Sequence, residues 1–245
     1  MKTGICYLPL VPMRAEPSER AEMVTQVLYG ELFEILDEQA GWLFLRLDAD
    51  SYTGWCTSKM LQIISGDLFQ QLKLSRQSIA TAVLSACQTK QGLQLLPAGS
   101  RLRESDVILS EFGQSQEDVK NMNPAKIAHR FLHSPYLWGG KTLLGMDCSG
   151  LVQIVFLLKG QQLPRDARDQ VQCGELISSL AETLPGDLVF FSNAEGNVVH
   201  VGLVFKDGQI IHASGSVQLD QLDEKGIYSK SWATYTHSLY QIRRI

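Results

Sequence analysis

The chain has 245 residues, 44% hydrophobic and 20% charged, a balance that excludes a disordered polymer and provides for one or two cored domains, or more if some are small barrels. A net charge of −4 supplies no basic surplus to neutralise phosphates, which excludes nucleic acid as a partner. Five cysteines, Cys6, Cys56, Cys87, Cys148 and Cys173, are odd in number and irregular in spacing, so they form neither a disulfide framework nor a CxxC metal signature and suit a reducing compartment.

Pro9 and Pro12 break any apolar run in the first 20 residues, so the expectation is no secretory signal and a cytoplasmic location. No run approaches the roughly 20 apolar residues of a membrane span. Between Val11 and Ile64, short β-patterns at 23–29, 32–37, 42–47 and 53–57 alternate with turns at Gly30-Glu31, Ala40-Gly41 and Asp48-Ala49-Asp50, the rhythm of a small barrel. Arg14 to Ser18 forms a longer loop, and Trp42 and Trp55 are read as barrel core in preference to rings that stack on a ligand. Further on the periodicity weakens. A short helix is expected at 67–74, an apolar run lies at 79–86, and 93–96 precedes Pro97-Ala98-Gly99-Ser100, a fragment of a second, diverged barrel. Residues 104–120 are charged and polar, and read as a surface loop or linker.

Asn123-Pro124 pairs a capping side chain with a proline at the first helical position, and Ile127, Ala128, Phe131 and Leu132 form the apolar face of a helix that stops before Pro135. His129 and His133 lie four apart, but with no third ligand nearby they read as a solvated helix face. The run from Leu151 to Leu158, apolar almost all round, is a buried helix ended by Lys159 and Gly160, with Asp147, Cys148 and Ser149 in its first turn. Free amide N–H groups and the helix dipole there favour thiolate, so the Cys148 pKa is expected to be lowered. A short helix follows Leu163-Pro164-Arg165-Asp166-Ala167. Strand patterns at 188–191, 198–205 and 209–213 then carry His200 and His212, and a cysteine nucleophile needs a histidine held by a third group. His237 stands outside every motif. Side chains alternate faces, so an even hairpin loop would put the two histidines on opposite faces. A three-residue loop Lys206-Asp207-Gly208, or an equivalent bulge, pairs His212 with Gly202 and unites them, Gly202 being small because His212 packs across it.

Five blocks in order give these patterns a family resemblance: Tyr136 with Trp138-Gly139-Gly140, Asp147-Cys148-Ser149-Gly150, Pro185-Gly186-Asp187-Leu188-Val189-Phe190-Phe191, His200-Val201-Gly202, and Ile211-His212-Ala213. Over residues 123–245 the chain resembles the NlpC-type cysteine peptidases, which cut peptide stems of bacterial cell walls. Gly41-Trp42 and Gly54-Trp55 resemble a bacterial Src-homology-3-like (SH3-like) barrel. The resemblance implies an α+β fold, a papain-like NlpC-type domain preceded by one or two small SH3-like β-barrels, divided as 1–65 (barrel), 66–120 (second barrel and linker) and 121–245 (peptidase). It implies Cys148 as nucleophile, His200 as base, His212 as the group orienting His200, and Tyr136 as support near the oxyanion, with neither metal nor cofactor.

Barrels before such a domain resemble the branch that recycles wall peptides, hydrolysing the γ-D-glutamyl–diamino-acid bond of free stems that begin with L-alanine. The implied partner is a murein tripeptide or similar stem peptide, with no membrane and no evident protein partner. Asp147 is the expected partner of the alanine ammonium, besides capping its helix, with Ser149 and Asp166 lining the same pocket and Tyr52 and Glu16 contributed by the barrel. An acetylated alanine would then leave a buried carboxylate uncompensated. Two alternatives remain: an amidase or acyl transferase using the same triad, and a vestigial module that binds wall fragments.

Overall fold

Alternating apolar residues and glycine turns build the amino-terminal part of the computed structural model, which describes residues 2–75, 77–113, 118–206 and 208–245. Two units divide the chain, Met1–Gln116 with Trp138–Leu143, and Glu117–Leu137 with Leu144–Ile245. In the first, seven antiparallel strands lie in the order Met23–Leu28, Leu10–Arg14, Thr53–Thr57, Trp42–Leu47, Leu32–Gln39, Lys2–Ile5, Gln62–Ile64. Every second side chain points inward, so Val11, Met13, Val27, Phe33, Leu43, Leu45, Leu47 and Cys56 make the core. Ala40 (φ 48°) and Gly41 (φ 86°) are both left-handed between the paired Gln39 and Trp42, as a primed hairpin turn requires. The same alternation corrects the reading of the tryptophans: Trp42 and Trp55 fall on the side away from Leu43 and Cys56. Both are half-buried, Trp55 tilted against Phe44 with ring centroids 5.1 Å apart.

The expected helix is present as Gly66–Leu74, with the Ser65 side chain accepting the Leu68 N–H. Beyond it, Ser78–Ile79 pairs with Arg101–Leu102, and Gly92–Pro97, Leu84–Thr89 and Val107–Phe112 form a three-stranded sheet. Ala80, Cys87, Leu96 and Leu102 gather with Tyr29 into a small core. The strand Val107–Phe112 overturns the surface-loop reading of 104–120 over that stretch. It pairs with Leu84–Thr89 through a bulge between Ile108 and Ser110, and its outward apolar residues, flanked by charges, disguise a strand as a linker. Residues 114–117 of that stretch lie outside the described residues.

Trp138–Leu143 is anchored within this first unit. The Trp138 indole donates to Glu22 Oε1 (2.6 Å), and the Lys141 amide donates to Gln26 Oε1 (2.9 Å). Gly139 (φ 76°) brings its backbone so near Met23 that a Cβ would sit 2.3 Å from the carbonyl oxygen. The Lys141 ammonium is buried 3.6 Å from the equally buried Glu31 carboxylate, the pairing that burial of either charge demands.

In the second unit, Thr234–Arg244 pairs both with Leu188–Ser192 and with Gly226–Ser229. That double pairing closes six antiparallel strands, the remaining three being Val198–Lys206, Gln209–Ser214 and Ser216–Asp223; Glu175–Ile177 adds to the outer edge of Thr234–Arg244. Val189, Phe191, Val204, Ile210, Leu222, Ile227 and Ile242 form one apolar cluster of this sheet. Helix Cys148–Leu158, buried at every residue but Leu157, packs with the short helix Pro124–His129 against Val198–Lys206. Asn123 caps the latter as its sequence predicts, accepting the Ala125 N–H, but the helix ends at His129 and continues as turns to His133 (φ 68°). The last expected helix is present as Ala167–Gln170. Among the described residues no helix is long and apolar enough to cross a membrane.

Candidate active site

Strand register assembles the site. Gly202 pairs with His212 and His212 with Gln218, so these three share one face of adjacent strands. His200 stands two residues before Gly202, and Asp220 two after Gln218. The result is a diagonal of polar groups, His200, His212 and Asp220, on the face that carries Val204, Ile210 and Leu222. The expected register is realised through the bulge, Phe205 being the extra residue between the pairs Val204–Ile210 and Lys206–Gln209, with Gly208 left-handed at φ 66°. Asp207, at the expected turn, lies outside the described residues. A Cβ on Gly202 would meet His212 Cβ at 2.9 Å and Ile210 Cδ1 at 2.7 Å, the close packing expected across it.

Along the diagonal, His200 Nε2 lies 2.9 Å from His212 Nδ1, and His212 Nε2 lies 3.1 Å from Asp220 Oδ2, which also accepts from Gln218 Nε2 at 3.0 Å. Nδ1 is therefore the ring nitrogen of His200 left for a proton acceptor's task. The backbone of Val201, the residue next to His200, comes near enough to the Cys148 sulfur to favour its thiolate against burial. Tyr136 lies within electrostatic reach of Cys148 and Asp147; burial and then those charges push its phenol up to about 12.

The expected lowering of the Cys148 pKa is corrected. Burial first, and then the Asp147 charge, push the thiol up to about 12, against opposing hydrogen bonds from Val201 and Ser149 and the Arg165 charge. Burial, with His237 and His212 next, holds His200 well below 6.5. With the thiol raised and the imidazole lowered, burial disfavours the charged form of each, so any attack by this sulfur would need a base to take its proton.

Asp147 accepts the Gly150 N–H through Oδ1 (2.7 Å), capping the Cys148 helix. Arg165 grips both its oxygens, Nη1 to Oδ1 at 3.0 Å and Nη2 to Oδ2 at 2.7 Å, and donates to Ser149 Oγ at 2.9 Å. Side-chain exposures of 2% for Arg165 and 7% for Asp147 mark a buried pair. The expectation of a carboxylate left uncompensated without a substrate cation is therefore corrected, because Arg165 already supplies the countercharge. Asp166 is half-buried and ion-paired with Arg168. Tyr52, half-buried against the barrel core, and the exposed Glu16 both belong to the first unit.

Sequence reasoning did not assign Asp220, Arg165 or His237. His237 stacks on His200 with centroids 4.0 Å and planes 25° apart, and burial lowers its pKa to about 4. One signal for Asp220 was available: Gly215 (φ 71°) turns the chain between the paired Ser214 and Ser216, and counting back from it sets Gln218 opposite His212. His129 and His133 are exposed, His129 stacking on Phe205, and among the described residues no three His, Cys, Asp or Glu side chains gather as a metal site.

Residues 133–237 match the family model described as NlpC/P60 family, and residues 13–61 the one described as bacterial dipeptidyl-peptidase Sh3 domain. The chain is 30% identical over 237 residues to a γ-D-glutamyl-L-lysine dipeptidyl-peptidase of Bacillus subtilis, covering 84% of this chain and 78% of that one. It is 27% identical over 267 residues to dipeptidyl-peptidase 6 of Lysinibacillus sphaericus, covering 94% and 96%. A crystal structure of an NlpC/P60 family protein from Bacillus cereus shares the fold, with a TM-score of 0.79, 16% identity and 99% coverage of both chains. Matched in sequence along most of its length and in fold along nearly all of it, the chain belongs to the NlpC/P60 family of cysteine peptidases.

Proposed function

We propose that the chain hydrolyses the γ-D-glutamyl–diamino-acid bond of cell-wall stem peptides that begin with a free L-alanine, in the cytoplasmic recycling of peptidoglycan. The observation that carries this reading is the His200–His212 contact on one strand face, with the backbone beside His200 reaching the Cys148 thiol electrostatically. The name of the Bacillus subtilis relative supports the γ-D-glutamyl bond, that of the Lysinibacillus relative supports release of a dipeptide, and the free, buried Cys6, Cys56 and Cys87 suit a reducing compartment. We keep residues 66–120 as a second, diverged barrel, a reading supported by the small core around Cys87 and Leu96.

In this reading the Cys148 thiol passes its proton to His200 Nδ1 as the sulfur adds to the γ-carbonyl. His200 then gives the proton to the leaving amine, and water clears the thioester with His200 again as base. Tyr136 supports the oxyanion. Asp147, Ser149 and Asp166 belong to the substrate pocket, Asp147 through its Arg165-braced position, and Tyr52 and Glu16 remain candidate contacts on the strength of their motif. Mass spectrometry of digests of L-Ala-γ-D-Glu-diamino-acid tripeptides, free and N-acetylated, tests the proposal. Expected is release of L-Ala-γ-D-Glu, fast from the free peptide, lost in Cys148→Ala and reduced about 10²–10⁴-fold in His200→Ala. No cleavage by the wild type, or cleavage at another bond, would sink it.

A further inference from the structure

Asp220 lies at the far end of the polar diagonal, outside the three residues expected to do the chemistry, and its side chain is only 10% exposed. We propose that Asp220 is a positioning residue that sets the tautomers of both histidines and so makes His200 a base. Along the diagonal each contact needs one donor and one acceptor. An ionised carboxylate can only accept, and Oδ2 already accepts from Gln218, so His212 must carry its proton on Nε2 to bond Asp220 at 3.1 Å. With its one ring proton on Nε2, His212 then offers only a lone pair on Nδ1. His200 must fill that 2.9 Å contact with Nε2–H, and its own Nδ1 is left with the lone pair that can take the thiol proton.

Without the carboxylate the two contacts lose their direction. His212 can carry its proton on Nδ1 and donate to His200 Nε2, which places the His200 proton on Nδ1, where it cannot accept another. The His200–His212 contact survives either way, so geometry alone does not select the working state. Gln218 holds Asp220 in place, and strand pairing opposite Ile210 fixes its reach.

The catalytic consequence rests on the cysteine-peptidase reading, but the tautomers do not, and the experiment separates them. Imidazole nitrogen shifts of ¹⁵N-histidine-labelled protein, without substrate, report which nitrogen carries each proton. Expected are Nε2–H forms of His200 and His212 in the wild type. In Asp220→Asn and Asp220→Ala an Nδ1–H population should appear on both, with kcat/KM on the tripeptide lowered about 10- to 100-fold at nearly constant KM, part of the ~10²–10⁴ that a positioned base contributes. Asp220→Glu should recover part of the loss. An Nδ1–H His212 in the wild type overturns the proposal even if no variant folds, and so do variants that keep Nε2–H forms and wild-type rates. A wild type with Nε2–H histidines that cuts no stem peptide, yet alkylates Cys148 with iodoacetamide faster than Asp220→Asn does, supports the proposal while refuting the substrate assignment.

Discussion

At the start of the Cys148 helix a carboxylate and a guanidinium share buried space, each the other's countercharge. Across the strands Val198–Lys206, Gln209–Ser214 and Thr234–Arg244, by contrast, burial falls on imidazoles: His200 is held well below 6.5, His237 is held at about 4, and the carboxylate that bonds to His212 is Asp220. Fixed charges lock the first region, where the Asp147 cap and the Arg165 fork hold the turn that carries Cys148. Rings with two nitrogens apiece equip the second with groups that can each donate and accept. One region is a clamp and the other a conduit.

The largest effect should come from breaking the clamp. Asp147→Ala leaves the Arg165 guanidinium buried and unpaired and removes the cap, so urea unfolding should show a loss of about 3–5 kcal/mol. Cys148→Ala should leave stability near wild type while abolishing cleavage. Replacing Asp147 and Arg165 together by apolar residues of similar volume should cost far less than either single change.

Next in size is Gly202→Ala, whose Cβ would crowd Ile210 Cδ1 at 2.7 Å and His212 Cβ at 2.9 Å. Overpacking of this kind costs roughly 1–3 kcal/mol. Because it pushes on His212, kcat/KM should fall by more than stability alone explains. A variant as active and as stable as the wild type would show that the strands open without disturbing the pair.

The pH response should be smaller and of defined sign. His237, at about 4 when folded and 6.5 when not, binds more protons in the unfolded chain between those values, so stability is full above about 6.5 and falls as pH drops toward 4. His200, lowered in the same direction, adds to the loss. Thermal melts from pH 7.5 to 4.5 should show a falling Tm. His237→Phe keeps an aromatic plane against His200 and removes one titrating ring, so it should reduce the fall slightly; an unchanged slope would assign the whole effect to other groups.

The sequence showed the clamp and the conduit unequally. The shared face of His200 and His212 was legible because strand alternation and hairpin parity are local rules, and the bulge at Phe205 satisfies the parity that the histidines require. The Asp147 cap was legible because a capping side chain directly precedes the apolar helical run, which is also a local signal. Arg165 was not, since a countercharge 18 residues away along the chain leaves no periodic trace. Nor was the direction of the Cys148 pKa, because helix position speaks for thiolate while the opposing burial is a sum over many side chains. Trp42 and Trp55 misled by composition, being large and apolar at positions whose parity points outward.

Anchoring Trp138–Leu143 within the first unit gives the chain a discontinuous order of assembly. During synthesis that unit lacks its last piece until Leu143 has left the ribosome, only five residues before Cys148. Until then Glu31 has no Lys141, and the Gln26 carbonyl and the Glu22 carboxylate lack the donors they later hold. A fragment that begins at residue 121 would carry Lys141 and Trp138 away from all three partners. Limited proteolysis, or expression of the two halves from separate messages, therefore meets a molecule whose natural cleavage line does not coincide with any single peptide bond.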